Sequence, residues 1–157
     1  TISSVLFIVT IPSMDTRQIN KYLRPLAKFF VGTYPLDCIP AVKHRPAFYV
    51  VNTHPAGMRG EHWIAIALLE DGTAGYFDSF GLPPTSSLIL EFLDKNSTRW
   101  RHSKVVLQHV LAVTCGLFCC CFVKHRARGR GYLAFIKRFS ADPDLNETIV
   151  RKIFLAR

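Results

Sequence analysis

Acidic residues are scarce in this sequence, with 11 Asp and Glu against 20 Lys and Arg in 157 residues, a formal net charge of +9. That balance rules out an acidic, self-solvating chain and makes polyanions natural partners. Long apolar spans are also missing. No uncharged stretch reaches ~18 residues without a breaker, so no membrane-crossing helix is expected. The apolar opening Val5-Leu6-Phe7-Ile8-Val9 has no basic leader and is soon cut by Pro12, which argues against a signal peptide. No C-x-x-C pair occurs, and no Cys/His spacing suits zinc, so no metal is expected. The five cysteines are odd in number, and Cys119, Cys120 and Cys121 are adjacent. Neighbouring helical residues point in different directions, which excludes a disulfide framework and suggests a reduced, intracellular protein. Repeats and linker-like stretches are absent as well.

What is present reads as one α+β domain. Hydrophobic content of 49% and charged content of 20% are globular values, and twelve Phe, five Tyr and two Trp supply large core side chains. Met14 directly precedes a helix-like segment, so residues 1–13 read as an N-terminal extension and 14–157 as the domain. The spacing of Ile19, Tyr22 and Leu23 predicts a helix over 15–23, limited by Pro25. Residues 32–35 read as a turn and 38–46 as a loop. Strands are expected at 47–52, 62–69 and 75–80, the last two forming a hairpin across the turn at 70–72. A Pro-opened helix to about residue 96, burying Leu88, Phe92 and Leu93, is followed by a strand at 104–108. A basic, Gly-broken segment spans 127–138. Asp144 and Glu147 have capping-box spacing for a last helix ending near Leu155. Helix-rich ends thus surround a small antiparallel or mixed sheet.

The run from Cys115 to Val123 carries no charge and follows Thr114, which suits a helix N-cap; a buried central helix is expected. Cys115 then lies in the first turn, where unpaired N–H groups and the helix dipole favour a thiolate. Cys119, Cys120 and Cys121 are expected to be inert core. A cysteine nucleophile needs an imidazole, a group that fixes the imidazole, and oxyanion donors. His62 begins a strand straight after a loop, and Asp78 ends the neighbouring strand, so the pairing sets them side by side. Gln108, seven residues before Cys115, can supply an amide N–H beside the Cys115 backbone. His54, His102, His109 and Asp71 are weaker candidates.

These pieces resemble the adenovirus proteinase (adenain) family and, more distantly, the SUMO-specific proteases. They occur in the family's order: Phe30-Val31-Gly32-Thr33-Tyr34, Val50-Val51-Asn52-Thr53, His62-Trp63, Phe77-Asp78-Ser79-Phe80-Gly81, Gln108, and Cys115-Gly116-Leu117-Phe118-Cys119-Cys120. The resemblance implies a papain-like fold with Cys115 as nucleophile, His62 as general base and acid, Asp78 as third member and Gln108 as oxyanion donor. Trp63 is expected to pack beside the site. The implied activity is that of a cysteine endopeptidase cutting precursor proteins of a virus or virus-derived element beside small residues, often glycine. Chemistry of this kind requires no cofactor.

The chain also departs from the family. Asp78 stands where adenoviral enzymes usually have Glu and is the choice common among SUMO proteases. The segment 96–107 lacks the cysteine that tethers the family's activating peptide, so only a non-covalent peptide activator is compatible. DNA acts as a cofactor in the family, and Lys124, Arg126, Arg128, Arg130, Lys137 and Arg138 are the candidate contacts here. A viral enzyme of this type is expected in the host nucleus and virion, as a monomer without membrane contact. Two alternatives stay open: a ubiquitin- or SUMO-type isopeptidase on the same fold, and a non-catalytic nucleic-acid-binding domain.

Overall fold

The computed structural model describes residues 13–58 and 62–156. The proposed extension, residue 13 apart, therefore lies outside the described residues. The elements run α1 (Thr16–Leu23), a 3-10 turn (Arg24–Leu26), β1 (Phe30–Tyr34), β2 (Ala47–Asn52), β3 (Trp63–Leu68) and β4 (Thr73–Phe77). Then come α2 (Ser87–Asn96), β5 (Arg99–His102), α3 (Cys115–Ala127), α4 (Tyr132–Ile136) and α5 (Pro143–Leu155). No described helix is long and apolar enough to cross a membrane.

The strands form one mixed sheet in the order β1-β2-β3-β4-β5, antiparallel through β2, β3 and β4 and parallel at both flanks. The period of two sorts their side chains. Phe48 and Val50 of β2, Ala65 and Ala67 of β3, and Phe77 of β4 face the layer that holds α3. Ala47, Tyr49, Val51, Ile64, Ile66 and Leu68 face the opposite layer, which α2 covers with Ile89 and Leu93. The alanines of β3 keep that face shallow, so α3 lies close to the sheet. Because α3 is apolar on every side, it must be enclosed on every side. All residues from Cys115 to Val123 are buried, with α1, α4 and α5 packed around the remainder of the helix. Phe122 stacks on Phe77 at 4.6 Å between ring centres, with Tyr132 and Phe135 edge-on to it. Phe122→Ala is expected to cost about 3–5 kcal/mol of unfolding free energy, measured by chemical denaturation.

Four local expectations are corrected, the first two by long-range pairing and the last two by the position of a helix cap. Residues 32–34 are strand rather than turn, because β1 pairs with β2 in parallel (Thr33 beside Val50), a partner that local composition does not reveal. The fifth strand is Arg99–His102, not 104–108. The latter segment instead runs beside the loop after β4, with Leu107 N and Gln108 N both donating to Ser79 O. Gly81 makes that close approach possible. Its φ is +71°, and a Cβ there would lie 2.6 Å from Lys104 O. In α2, Leu88 points outward while Ile89 and Leu93 point inward, since Ser86 is the N-cap. The cap of α5 is Asp142, accepting from Asp144 N at 3.0 Å, which leaves Glu147 free to bond elsewhere.

Candidate active site

The first turn of α3 opens onto a cleft of about 940 Å³. Ser13, Met14, Asp15 and Thr16 line one part of it, residues 54–58 another, and Val110, Ala112 and Val113 a third. Cys115 is the first residue of α3 and is largely buried at the floor of the cleft. As the first helical residue it has a backbone N–H without an intrahelical partner. Gly116 follows because α3 is wedged here; a Cβ would stand 3.0 Å from Met14 Cβ and 3.4 Å from Trp63 Cδ1. Trp63 packs beside the site, as its sequence position suggests, and its indole N–H donates to Met14 O at 3.0 Å. The start of the described chain is thereby fastened to the cleft wall.

His62 immediately precedes β3, and Asp78 immediately follows β4. The antiparallel pairing of Ala65 with Phe77 brings the two together. His62 Nε2 meets Asp78 Oδ1 at 2.9 Å, with side chains 16% and 5% exposed. Nε2 is thus occupied, and Nδ1 is the nitrogen left to serve Cys115, which lines the same cleft. Burial alone pushes the imidazole pKa down. The hydrogen bond to Asp78 with its negative charge, and the neighbouring Cys115, outweigh burial and raise it to about 9. Phe80 stacks on the His62 ring at 4.9 Å, and its N–H donates to the same Asp78 oxygen at 2.8 Å. Ring and carboxylate are therefore both held from one short turn.

Gln108 is buried and lines the same cleft. Its carbonyl accepts from Ser79 Oγ at 2.6 Å, and the Ala112 carbonyl on the other side, which can only accept, fixes which end of the amide is nitrogen. Nε2 then donates one hydrogen to Ala112 O at 2.8 Å and keeps a second. A thiol, an imidazole braced by a carboxylate, and amide N–H groups thus converge in one cleft, a set suited to nucleophilic attack on a carbonyl.

The weaker candidates lie apart from this cluster or bond differently. Asp71 accepts from Thr73 in the β3–β4 turn, His102 sits on β5, and His109 faces Asp144 at 3.5 Å. His54 lines the cleft but meets Thr53 Oγ1 at 3.4 Å. Cys119, Cys120 and Cys121 are fully enclosed, and burial pushes their thiols up, which makes them inert. Among the described residues no cluster of His, Cys, Asp and Glu is set to hold a metal ion. Of the candidate polyanion contacts, Arg128, Arg130, Lys137 and Arg138 are exposed. The other two are half-buried and already bonded to backbone: Arg126 donates to Arg130 O at 2.6 Å, and Lys124 donates to Ala156 O at 2.9 Å. Sequence reasoning missed Ser79, Phe80, Asn146 and Glu147. The first two lie within the Phe-Asp-Ser-Phe-Gly run, and their partners are distant in sequence.

A buried helix with cysteine as its first residue, set on a sheet whose hairpin presents His and Asp, is the papain-like, Ulp-type cysteine-protease fold. Solved structures share it. The ASFV pS273R protease matches with a TM-score of 0.60 at 18% identity, over 90% of this chain and 65% of that one. Its selenomethionine form matches at 0.50 and 20%, over 68% and 44%. ChlaDub1 from Chlamydia trachomatis matches at 0.57 and 15%, over 92% and 90%. The chain thus spans less than two thirds of the pS273R protease, and identities this low establish a common fold alone. No protein family and no curated protein matches the sequence.

Proposed function

We propose that the chain is a cysteine endopeptidase in which Cys115 is the nucleophile, His62 the general base and acid, Asp78 its support, and Gln108 an oxyanion donor. The observation that carries this reading is the His62 ring, bonded to Asp78 at 2.9 Å in the cleft that Cys115 and Gln108 also line, with its pKa raised to about 9. In the resting pair the imidazole holds the thiol's proton. The thiolate attacks a peptide carbonyl, and the oxyanion takes hydrogen bonds from Gln108 Nε2 and the Cys115 N–H. As the tetrahedral adduct collapses, the C–N bond breaks and His62 gives its proton to the leaving amine. Water, deprotonated by His62, then hydrolyses the thioester and returns the thiol. The Cys-Gly-Leu-Phe-Cys-Cys run beside His-Trp supports precursor proteins of a virus or virus-derived element as substrates. The exposed cations Arg128, Arg130, Lys137 and Arg138 support a polyanion such as DNA as an accessory partner. Asp rather than Glu at 78 favours the second reading, an isopeptidase acting after ubiquitin or SUMO.

The chain carries its own control for the decisive test. Cys38 is an exposed thiol, pushed up by partial desolvation and by Asp37 beside it. A limiting dose of iodoacetamide at pH 6, mapped by mass, is expected to label the far less accessible Cys115 at least tenfold faster than Cys38. Labelling that follows exposure, with Cys38 ahead, would remove the ion pair and the proposal with it. Cleavage of extended peptides, compared with capture by ubiquitin or SUMO bearing a C-terminal electrophile, then separates the two substrate readings.

A further inference from the structure

Glu147 is a carboxylate with 9% exposure, and among the described residues no cation pairs with it. Burying such a group is costly unless its oxygens find donors. Both do, and both donors flank the proposed site. Oε2 accepts from the Thr114 hydroxyl at 2.7 Å, and Oε1 accepts from His109 N at 3.1 Å. Thr114 precedes Cys115, and His109 follows Gln108. The adjoining Asn146, fully buried, donates from Nδ2 to Leu107 O at 3.1 Å, on the other side of Gln108. Its Oδ1 accepts from Ser140 N at 2.8 Å, so the side chain is fixed at its far end too.

Two consecutive residues of α5 therefore hold three points of the chain, at 107, 109 and 114, that bracket Gln108 and Cys115. Ser79 also holds the start of this segment, through Leu107 N, Gln108 N and the Gln108 carbonyl, and His109 faces Asp144 at 3.5 Å; from there to Thr114 the loop has little other anchorage. It is closed on itself by Ala112 N to His109 O at 2.9 Å and by Gln108 Nε2 to Ala112 O, while Val110 and Leu111 stand 78% and 84% exposed. The Thr114 hydroxyl, moreover, makes no cap bond to α3. It is spent on Glu147 instead.

We infer that Glu147, seconded by Asn146, is a positioning residue that sets the distance between the oxyanion amide of Gln108 and the nucleophile Cys115. This rests on the reaction proposed above. A loop that shifts by about 1 Å costs on the order of 10²-fold in rate without changing the nucleophile. Alkylation of Cys115 by iodoacetamide involves no oxyanion, whereas acylation by peptide does, and the two readouts separate position from reactivity.

Glu147→Ala is expected to lower kcat about 10²-fold with KM within threefold, while iodoacetamide labelling of Cys115 stays within threefold of wild type. Glu147→Gln keeps both contacts, since its carbonyl still accepts from His109 N and its amide can donate to Thr114 Oγ1. It is expected to restore kcat to within fivefold of wild type. Thermal melts of both variants accompany the kinetics. Labelling and turnover that decline together in Glu147→Ala, in step with lost folded protein, would reduce Glu147 to a structural residue. A Gln variant as slow as the Ala variant would assign the effect to charge and overturn the clamp. Unchanged kcat in both would do the same while the wild type still turned over. A wild type with neither turnover nor selective Cys115 labelling would instead defeat the proposed function, and the clamp would fall with it.

Discussion

Cys115→Ala is expected to lower kcat by about 10⁵-fold while the protein stays folded, with a melting temperature within a few degrees of wild type. The loss follows from removing the proposed nucleophile, on which the acyl intermediate would form; in the proposed mechanism the remaining cleft, Gln108 included, would do no more than polarise a bound carbonyl. Stability survives for a separate reason. The sulfur belongs to a residue lining an open cleft of about 940 Å³ rather than one inside packed core, so its loss leaves no sealed void. Alanine is also the best helix former for the first residue of α3. The cysteines further along the helix should behave in the opposite way. Cys119 is fully enclosed between the helix and its neighbours, and Cys119→Ala should cost about 1–2 kcal/mol while leaving the rate per folded molecule unchanged. Peptide hydrolysis with active-site titration, beside denaturant unfolding of both variants, measures the contrast. A Cys115→Ala protein that still turns over, or a Cys119→Ala protein that is stable and slow, would reverse the assignments.

That contrast between neighbouring cysteines is partly legible in the sequence. An uncharged run of nine residues must be enclosed, and a thiol at its first position is the one that reaches an edge. The hairpin is equally legible, because period-two patterning around a Glu-Asp-Gly turn pairs the strands and sets His62 next to Asp78. Interactions between groups far apart in the chain are not. β1 is a strand because Thr33 lies beside Val50, and no local preference of Gly32-Thr33-Tyr34 announces it. Residues 104–108 look like a strand in composition, yet they bond to Ser79 in a turn rather than to a ladder. Glu147 shows the same limit at the site. Its spacing from Asp144 fits a capping box, but Asp142 has taken the cap and the carboxylate reaches Thr114, 33 residues away.

His62→Ala is expected to lower kcat/KM at pH 7 by about 10⁴-fold, because the proposed mechanism would lose both its resting ion pair and the acid that protonates the leaving amine. The wild-type pH dependence gives the sharper test. An unperturbed imidazole would lose its proton near pH 6.5 and burial would lower that further, yet Asp78 and Cys115 together hold the His62 pKa at about 9. The alkaline limb of kcat/KM should therefore lie near pH 9. Stability must follow the same group. Because the folded pKa is raised, the contribution of His62 is fully present below about pH 6.5 and is lost as pH rises toward 9, amounting to about 3 kcal/mol at most. The stability difference between wild type and His62→Ala should shrink across that window. Asp78→Asn isolates the cause. It keeps an oxygen for the Phe80 N–H and the His62 ring but removes the charge, so burial is then opposed mainly by Cys115. The alkaline limb should move down toward 6.5. A limb that stays near 9 in Asp78→Asn would mean that the thiolate alone sustains the imidazolium, and Asp78 would serve to aim the ring rather than to charge it.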